Sequence, residues 1–262
     1  MKRYLKIYRV FFAQYLKQLI QYRVDFSIGI LSFLLIQFSG ILFVGLIFES
    51  IDSLNGWSLD QMVFLYGFFQ IPRGIDHLFT DNIWLIPSKI RRGDIDRYLV
   101  RPINPLFQCV AERFQPEAFG ELIIGSILIA WTSMRMGLSF GFTEIALTVV
   151  LLCCGSMIYT SIKLLGATTG FWIMNSMPLM TFVYGIADFA KYPTVIFPRF
   201  IQLLVTVVFP FAFVSFYPAS YLLGMSDPWF VVVGSVVASS IFSVVAYRFW
   251  KFGLASYNSA GS

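Results

Sequence analysis

Residues 24–48 read VDFSIGILSFLLIQFSGILFVGLIF. After Asp25 the stretch carries no charge. It is longer than the roughly 20 apolar residues that a helix needs to cross the ~30 Å hydrocarbon core of a bilayer. Working outward, similar apolar runs cover 60–85, 116–134, 142–162, 195–216 and 229–250, the fifth with a kink expected at Pro210. The composition agrees. The chain is 58% hydrophobic and 13% charged, whereas soluble domains hold roughly 45–50% apolar and about 25% charged residues. Mean hydropathy is +0.75. The fold class is therefore an all-α integral membrane protein of about six transmembrane helices, one transmembrane domain over 1–262. No length remains for a second folded domain, so any soluble catalytic domain is expected on another polypeptide.

The segments between the runs are short and differ in charge. Leu5, Tyr8, Phe12, Tyr15, Leu19 and Tyr22 recur at spacings of three and four, with Lys2, Lys6, Arg9 and Lys17 largely opposite. That pattern suits an amphipathic helix over 1–23 lying in the membrane interface beside anionic lipid, or a cytosolic helix packed on a partner. Its six Lys or Arg residues do not fit a cleavable signal peptide. Residues 49–60 form a polar, acidic loop around Asn55-Gly56. Residues 166–193 are apolar but broken by Asn175, Pro178 and Asp188, and read as an interfacial or partly inserted helix on the cytoplasmic side. The tail from Phe252 is expected to be flexible.

Orientation follows from lysine and arginine placement. With the amino end inside, the inner segments hold Lys2, Arg3, Lys6, Arg9, Lys17, Arg23, Lys89, Arg91, Arg92, Arg97, Arg101, Arg113, Lys163, Lys191, Arg199, Arg248 and Lys251, and the outer loops hold only Arg135. Both termini are then cytoplasmic. The net charge of +5 reflects this asymmetry, and no basic soluble surface is left for nucleic acid.

Catalytic chemistry finds no footing. A single histidine, His77, rules out two-histidine metal sites, and neither a GxSxG elbow nor a GxxxxGK[ST] phosphate loop occurs. Cys109, Cys153 and Cys154 are odd in number and lack ligand spacing, so they read as small apolar packing residues.

Two constellations remain. In the loop 87–113, Gly93 can end one helix, Asp94 can cap the next, and Pro102 forbids extension. A helix of about two turns over 93–101 is expected, with Ile95, Tyr98 and Leu99 as its apolar face and Asp96, Arg97 and Arg101 as polar neighbours. It is either a knob for docking in a groove of another protein or a charged loop serving topology alone. On the second run, Arg73, Asp76, His77 and Asp81 share roughly one helix face. Such groups cannot face lipid. They either line a pathway whose carboxylates attract a cation, form an internal ion pair, or lie partly in the inner interface.

The string Gly93-Asp94-Ile95-Asp96-Arg97-Tyr98-Leu99-Val100-Arg101-Pro102-Ile103-Asn104-Pro105-Leu106 resembles the signature of permease subunits in a bacterial ABC-2-type transporter family. Tyr192-Pro193, Phe209-Pro210, Tyr217-Pro218-Ala219 and Leu222-Leu223-Gly224 resemble its second recurring block. The resemblance implies an exporter fold with an interfacial elbow helix, six spans and a coupling helix, carried here by 93–101. It implies a second permease, a different chain rather than an identical one, and two copies of a separate ABC ATPase that binds ATP and Mg. No cofactor is then held by this chain, and the location is a bacterial inner membrane. Related permeases export drugs, peptides, lipids and glycans, so the resemblance does not fix the cargo; the cargo expected here is a small amphiphilic or cationic toxic compound, as in multidrug efflux. The competing reading is a membrane scaffold or sensor subunit that transports nothing.

Overall fold

A computed structural model of the chain describes residues 7–11, 13–14, 17, 21, 23–112, 115, 118–173 and 175–257. The interfacial helix expected over 1–23 falls largely outside these residues, as does the tail beyond 257. Phe252 to Ala255, expected to be flexible, are the last turn of a long helix.

Eleven α-helices organise the described chain: α1 Arg23–Phe48, α2 Leu59–Thr80, α3 Ile86–Arg91, α4 Asp96–Leu99, α5 Pro105–Ala111, α6 Ala118–Met136, α7 Phe142–Thr168, α8 Met177–Ile186, α9 Arg199–Leu203, α10 Phe216–Leu222 and α11 Pro228–Ala255. Among the described residues α1, α6, α7 and α11 are long and apolar enough to cross a membrane. Helix α2 misses that standard because Arg73, Asp76 and His77 dilute its second half, yet it runs alongside α6 for its length. Its start is fixed by a capping box, in which the Ser58 hydroxyl accepts from the Gln61 amide and the Gln61 side chain accepts from the Ser58 amide.

Lipid is as apolar as leucine, so the bundle is not held by the hydrophobic effect between its spans. Close backbone approach and hydrogen bonds take that role. Helices α2 and α6 touch at Gly67 and Gly125, where a Cβ on Gly125 would stand 2.7 Å from the Gly67 carbonyl oxygen. Gly125→Val is therefore expected to push the two helices apart and to destabilise the chain by about 1–3 kcal/mol, read as a lower melting temperature in mild detergent. Helix α1 is mostly exposed to the surroundings. It is clasped by one buried polar group, the Gln37 side-chain oxygen, which accepts from the Tyr66 hydroxyl at 2.6 Å and from the Gln70 amide.

The two ends of the bundle are marked by separate apolar clusters. One gathers Trp57, Met62, Phe216 and Val231, with Phe48, Tyr192 and Leu222 against it. The other gathers Ile86, Ile95, Tyr98, Ala167, Met180 and Trp250. The segment after α7 crosses between them. Met180 of α8 sits in the second cluster, Tyr192 packs on the first, and the Asn55 side-chain amide donates to the Val195 carbonyl at 3.2 Å. Helix α8 with the 3-10 turn Ala187–Lys191 thus links the two clusters.

Where 166–193 was expected as one interfacial helix, the chain forms α8 followed by 3-10 turns, and the expected span 195–216 is broken in two. The stretch Arg199–Val208 and the stretch Phe211–Leu222 fold on each other by 74°. Val205 and Phe211 to Val214 around the bend pack with Ile186, Tyr159 and Ala190, and the second limb runs on to Phe216 and Leu222 in the first cluster. The bend falls at Pro210, which cannot donate a backbone hydrogen bond, immediately after a π-helical turn over Leu204–Val208.

Candidate functional site

The first candidate is the projection at the Trp250 end, built by α3, α4 and α5. Helix α3 stops at Gly93, whose φ of +73° lies in the left-handed region that glycine enters without a Cβ clash. The Gly93 amide donates to Ile90 O at 3.1 Å and the Asp94 amide to Lys89 O at 2.9 Å, a Schellman closure. Residues 93–95 are thereby taken up in the turn. Asp94 caps nothing, Ile95 is the N-cap residue without a side-chain bond, and α4 has one turn rather than two. Asn104 then accepts from the Leu106 and Phe107 amides and starts α5 behind Pro105.

The apolar residues of α4 divide. Ile95 is 0% and Tyr98 2% exposed, packed with Ile86, Cys109 and Leu164 of their own chain. Leu99 is 44% and Val100 83% exposed. The face expected to dock is therefore half consumed by mounting the projection. What it presents outward is Leu99 and Val100 among the exposed side chains of Arg92, Arg97 and Arg101, with Asp96 half-buried beside them.

A polar latch holds the mount. The Tyr98 hydroxyl donates to Glu112 at 2.6 Å and accepts from Lys89 Nζ at 2.9 Å and from Arg97 at 3.2 Å, and Lys89 also pairs directly with Glu112. Burial disfavours the charge on Lys89, but its bonds to Glu112 and Tyr98 outweigh that and raise its pKa. Burial likewise opposes the Glu112 charge, and Lys89 and Tyr98 more than reverse it, so its pKa is lowered. Both stay charged across the physiological range. Gln108, buried behind them, donates to the carbonyls of Tyr98 and Ile103. Burial pushes the Cys109 thiol up to about 11, which keeps it protonated and unreactive.

The second candidate is the polar face of α2. The structure brings Arg73, Asp76 and His77 together, with partners that the sequence reading did not assign to them. Asp76 Oδ2 meets Lys163 Nζ of α7 at 2.7 Å, and neither side chain exposes any surface. Its other oxygen accepts from Thr80 at 2.6 Å and from Thr160 at 2.7 Å. His77 Nδ1 stands 3.1 Å from both oxygens of Glu121 on α6, and Nε2 stands 2.8 Å from the Tyr184 hydroxyl of α8. Arg73 lies 3.6 Å from Glu121 and 3.9 Å from Asp188, which also meets Lys191 at 3.5 Å. Asp81 falls beyond the end of α2, in the 3-10 turn Asp81–Leu85, and joins none of these pairs among the described residues. Three cations (Arg73, Lys163, Lys191) thus balance three carboxylates (Asp76, Glu121, Asp188). The buried members, Asp76, Lys163 and Glu121, survive in an apolar bundle only when so compensated.

Alongside α8 runs an open groove of about 740 Å³. It is lined by Met177, Pro178, Thr181, Phe182, Gly185 and Phe189. Residues 34–261, which include the projection, the polar face and the groove, match the family model described as ABC-2 family transporter protein. No curated protein is matched.

Proposed function

This chain belongs to the ABC-2 transporter family, as a permease subunit that works with an ABC ATPase, and from that premise we propose that it exports a small amphiphilic or cationic toxic compound. ATP and Mg are held on the partner chain, where the ATP is hydrolysed. The observation that carries the reading is the projection over 93–101. Val100 and Leu99 are held out by a closed turn and a charged latch instead of a flexible loop. A push on that tip passes through α3 into α2 and through the packed Leu164 and Ala167 into α7. Gly93, Asp94, Ile95 and Tyr98 form the mount, and Asp96, Arg97, Leu99 and Arg101 the surface that meets the ATPase.

The apolar groove along α8 supports an amphiphile as cargo, because its walls match an apolar body and Asn175 and Thr181 supply polar contacts. Of the residues proposed for the pathway, Arg73, His77 and Asp81 keep some exposure. Asp76 keeps none and acts by holding Lys163. The complex comprises a second, non-identical permease and two ATPase copies in a bacterial inner membrane, with both termini cytoplasmic. Lys89, Arg91, Arg92, Arg97, Arg101, Arg248 and Lys251 at the projection's end favour that orientation.

A photoreactive side chain placed at Val100 tests the coupling. Light should attach the ATPase covalently to this position in the assembled complex, and ATP hydrolysis should rise with amphiphiles from a compound panel. A complex in which position 100 captures no ATPase, or in which no compound changes hydrolysis, would instead favour a scaffold or sensor subunit.

A further inference from the structure

The Tyr184 hydroxyl lies between two acceptors on α2: His77 Nε2 at 2.8 Å and Asp76 Oδ2 at 3.3 Å. It has one proton and can serve only one of them at a time. Which one it serves depends on His77. The Nδ1 atom faces both oxygens of the Glu121 carboxylate, so it carries a proton in every state. In the neutral ring Nε2 is then bare and accepts from Tyr184. In the imidazolium Nε2 carries a proton and donates to the Tyr184 oxygen, which frees the hydroxyl proton to turn toward Asp76.

We propose that His77 is a proton-binding site that fastens α8 to the rest of the bundle. A proton from water adds to Nε2, and the Tyr184 hydroxyl swings from His77 to Asp76 without any bond to oxygen breaking. The result is a continuous chain from Glu121 on α6 through His77 on α2 and Tyr184 on α8 to Asp76, which is itself tied to Lys163 on α7. Every bond in it is charge-assisted, whereas the neutral ring leaves the Tyr184 bond uncharged at both ends. His77 keeps 18% of its side chain exposed, which gives protons a way in.

The charged and titratable groups around it come from each neighbouring element: Arg73 and Asp76 from α2, Glu121 from α6, Tyr159 and Lys163 from α7, Tyr184 from α8, and Asp188 and Lys191 beyond it. They sum to zero with His77 neutral, so the added proton brings a single positive charge between Glu121 and Asp76. The inference stands on these distances and does not require the cargo proposed above. Since Ile186 and Gly185 of α8 line the groove, acidification would stiffen one of its walls.

The chain contains one histidine, so the full protein labelled with 15N-histidine and purified without a histidine tag gives a single imidazole pattern in lipid nanodiscs. At pH 8 it should show the Nδ1–H tautomer with Nε2 accepting a hydrogen bond, and at pH 5 both nitrogens protonated. Backbone hydrogen exchange across Met177–Ile186, corrected for the intrinsic effect of pH, should be about tenfold slower at pH 5. Tyr184→Phe should abolish that difference and move Nε2 to the position of a nitrogen that accepts nothing. An Nε2–H tautomer at pH 8, or one unchanged state at both pH values, overturns the proposal without recourse to any variant. A pH effect on α8 that persists in Tyr184→Phe overturns it equally.

Discussion

Replacing Leu99 and Val100 together by aspartate is expected to leave the permease folded and inserted while weakening its hold on the ATPase at least about a hundredfold. Both side chains point away from their own chain, Val100 being 83% exposed. Substitutions at such positions shift stability by no more than about 0.5 kcal/mol. In a partner's groove the same two side chains would each contribute about 1.5–3 kcal/mol of buried apolar surface, which aspartate removes. Cargo-stimulated hydrolysis by the complex, set against the melting temperature of the permease alone, separates the two effects. Ile95→Asp, one turn away, is the opposite case. It puts a carboxylate where no surface is exposed, among Ile86, Cys109 and Leu164, and should lower folded yield before any coupling can be measured. If Leu99→Asp/Val100→Asp hydrolyses and transports normally, the outward tip is not the contact.

That contrast also shows where sequence reading stops. The glycine at 93, the proline at 102 and the spacing of Ile95, Tyr98 and Leu99 announce a short bounded amphipathic helix, and one is present, with one turn instead of two. Spacing alone cannot say whether an apolar face meets a partner or the protein's own core. Here the chain uses most of it, and Val100, which no periodicity singled out, is the most exposed apolar residue of the tip. The helices α1, α6, α7 and α11 were legible because lipid selects uninterrupted apolar runs. The link through α8 was not. Pro178, Gly185 and Asp188 interrupt its hydropathy, and part of it is 3-10 helix. The neighbouring run 195–216 is more apolar, yet it is bent by 74° around Pro210. The polar face of α2 was legible as a face, since Arg73, Asp76 and His77 follow helical spacing. Its partners were not, because Lys163 lies 87 residues from Asp76 and Tyr184 lies 107 from His77.

The buried pair of Asp76 and Lys163 offers the sharpest test of what that face does. Lys163→Met should cost about 3–5 kcal/mol, since it strands a carboxylate from which all water is excluded. Asp76→Leu should cost a similar amount by stranding the ammonium. The double variant Asp76→Leu/Lys163→Met removes both charges, and a pair replaced by apolar groups of like volume is often neutral or even stabilising by about 1–4 kcal/mol. Its unfolding in mild detergent should therefore lie much closer to the parent than to either single change. The difference from additivity measures the coupling of α2 to α7. Thr80 and Thr160 lose an acceptor in the double variant but can turn to backbone carbonyls, as Thr80 already does toward Asp76 O at 2.8 Å. A double variant as unstable as the two single changes added together would mean that the charges do not compensate each other. If stability returns and transport does not, the pair is more than a strut, because the charges themselves take part in the cycle. Should both return, α2 and α7 need only to be held together, and the pathway must be sought among the exposed members of the network, Arg73, His77 and Asp188.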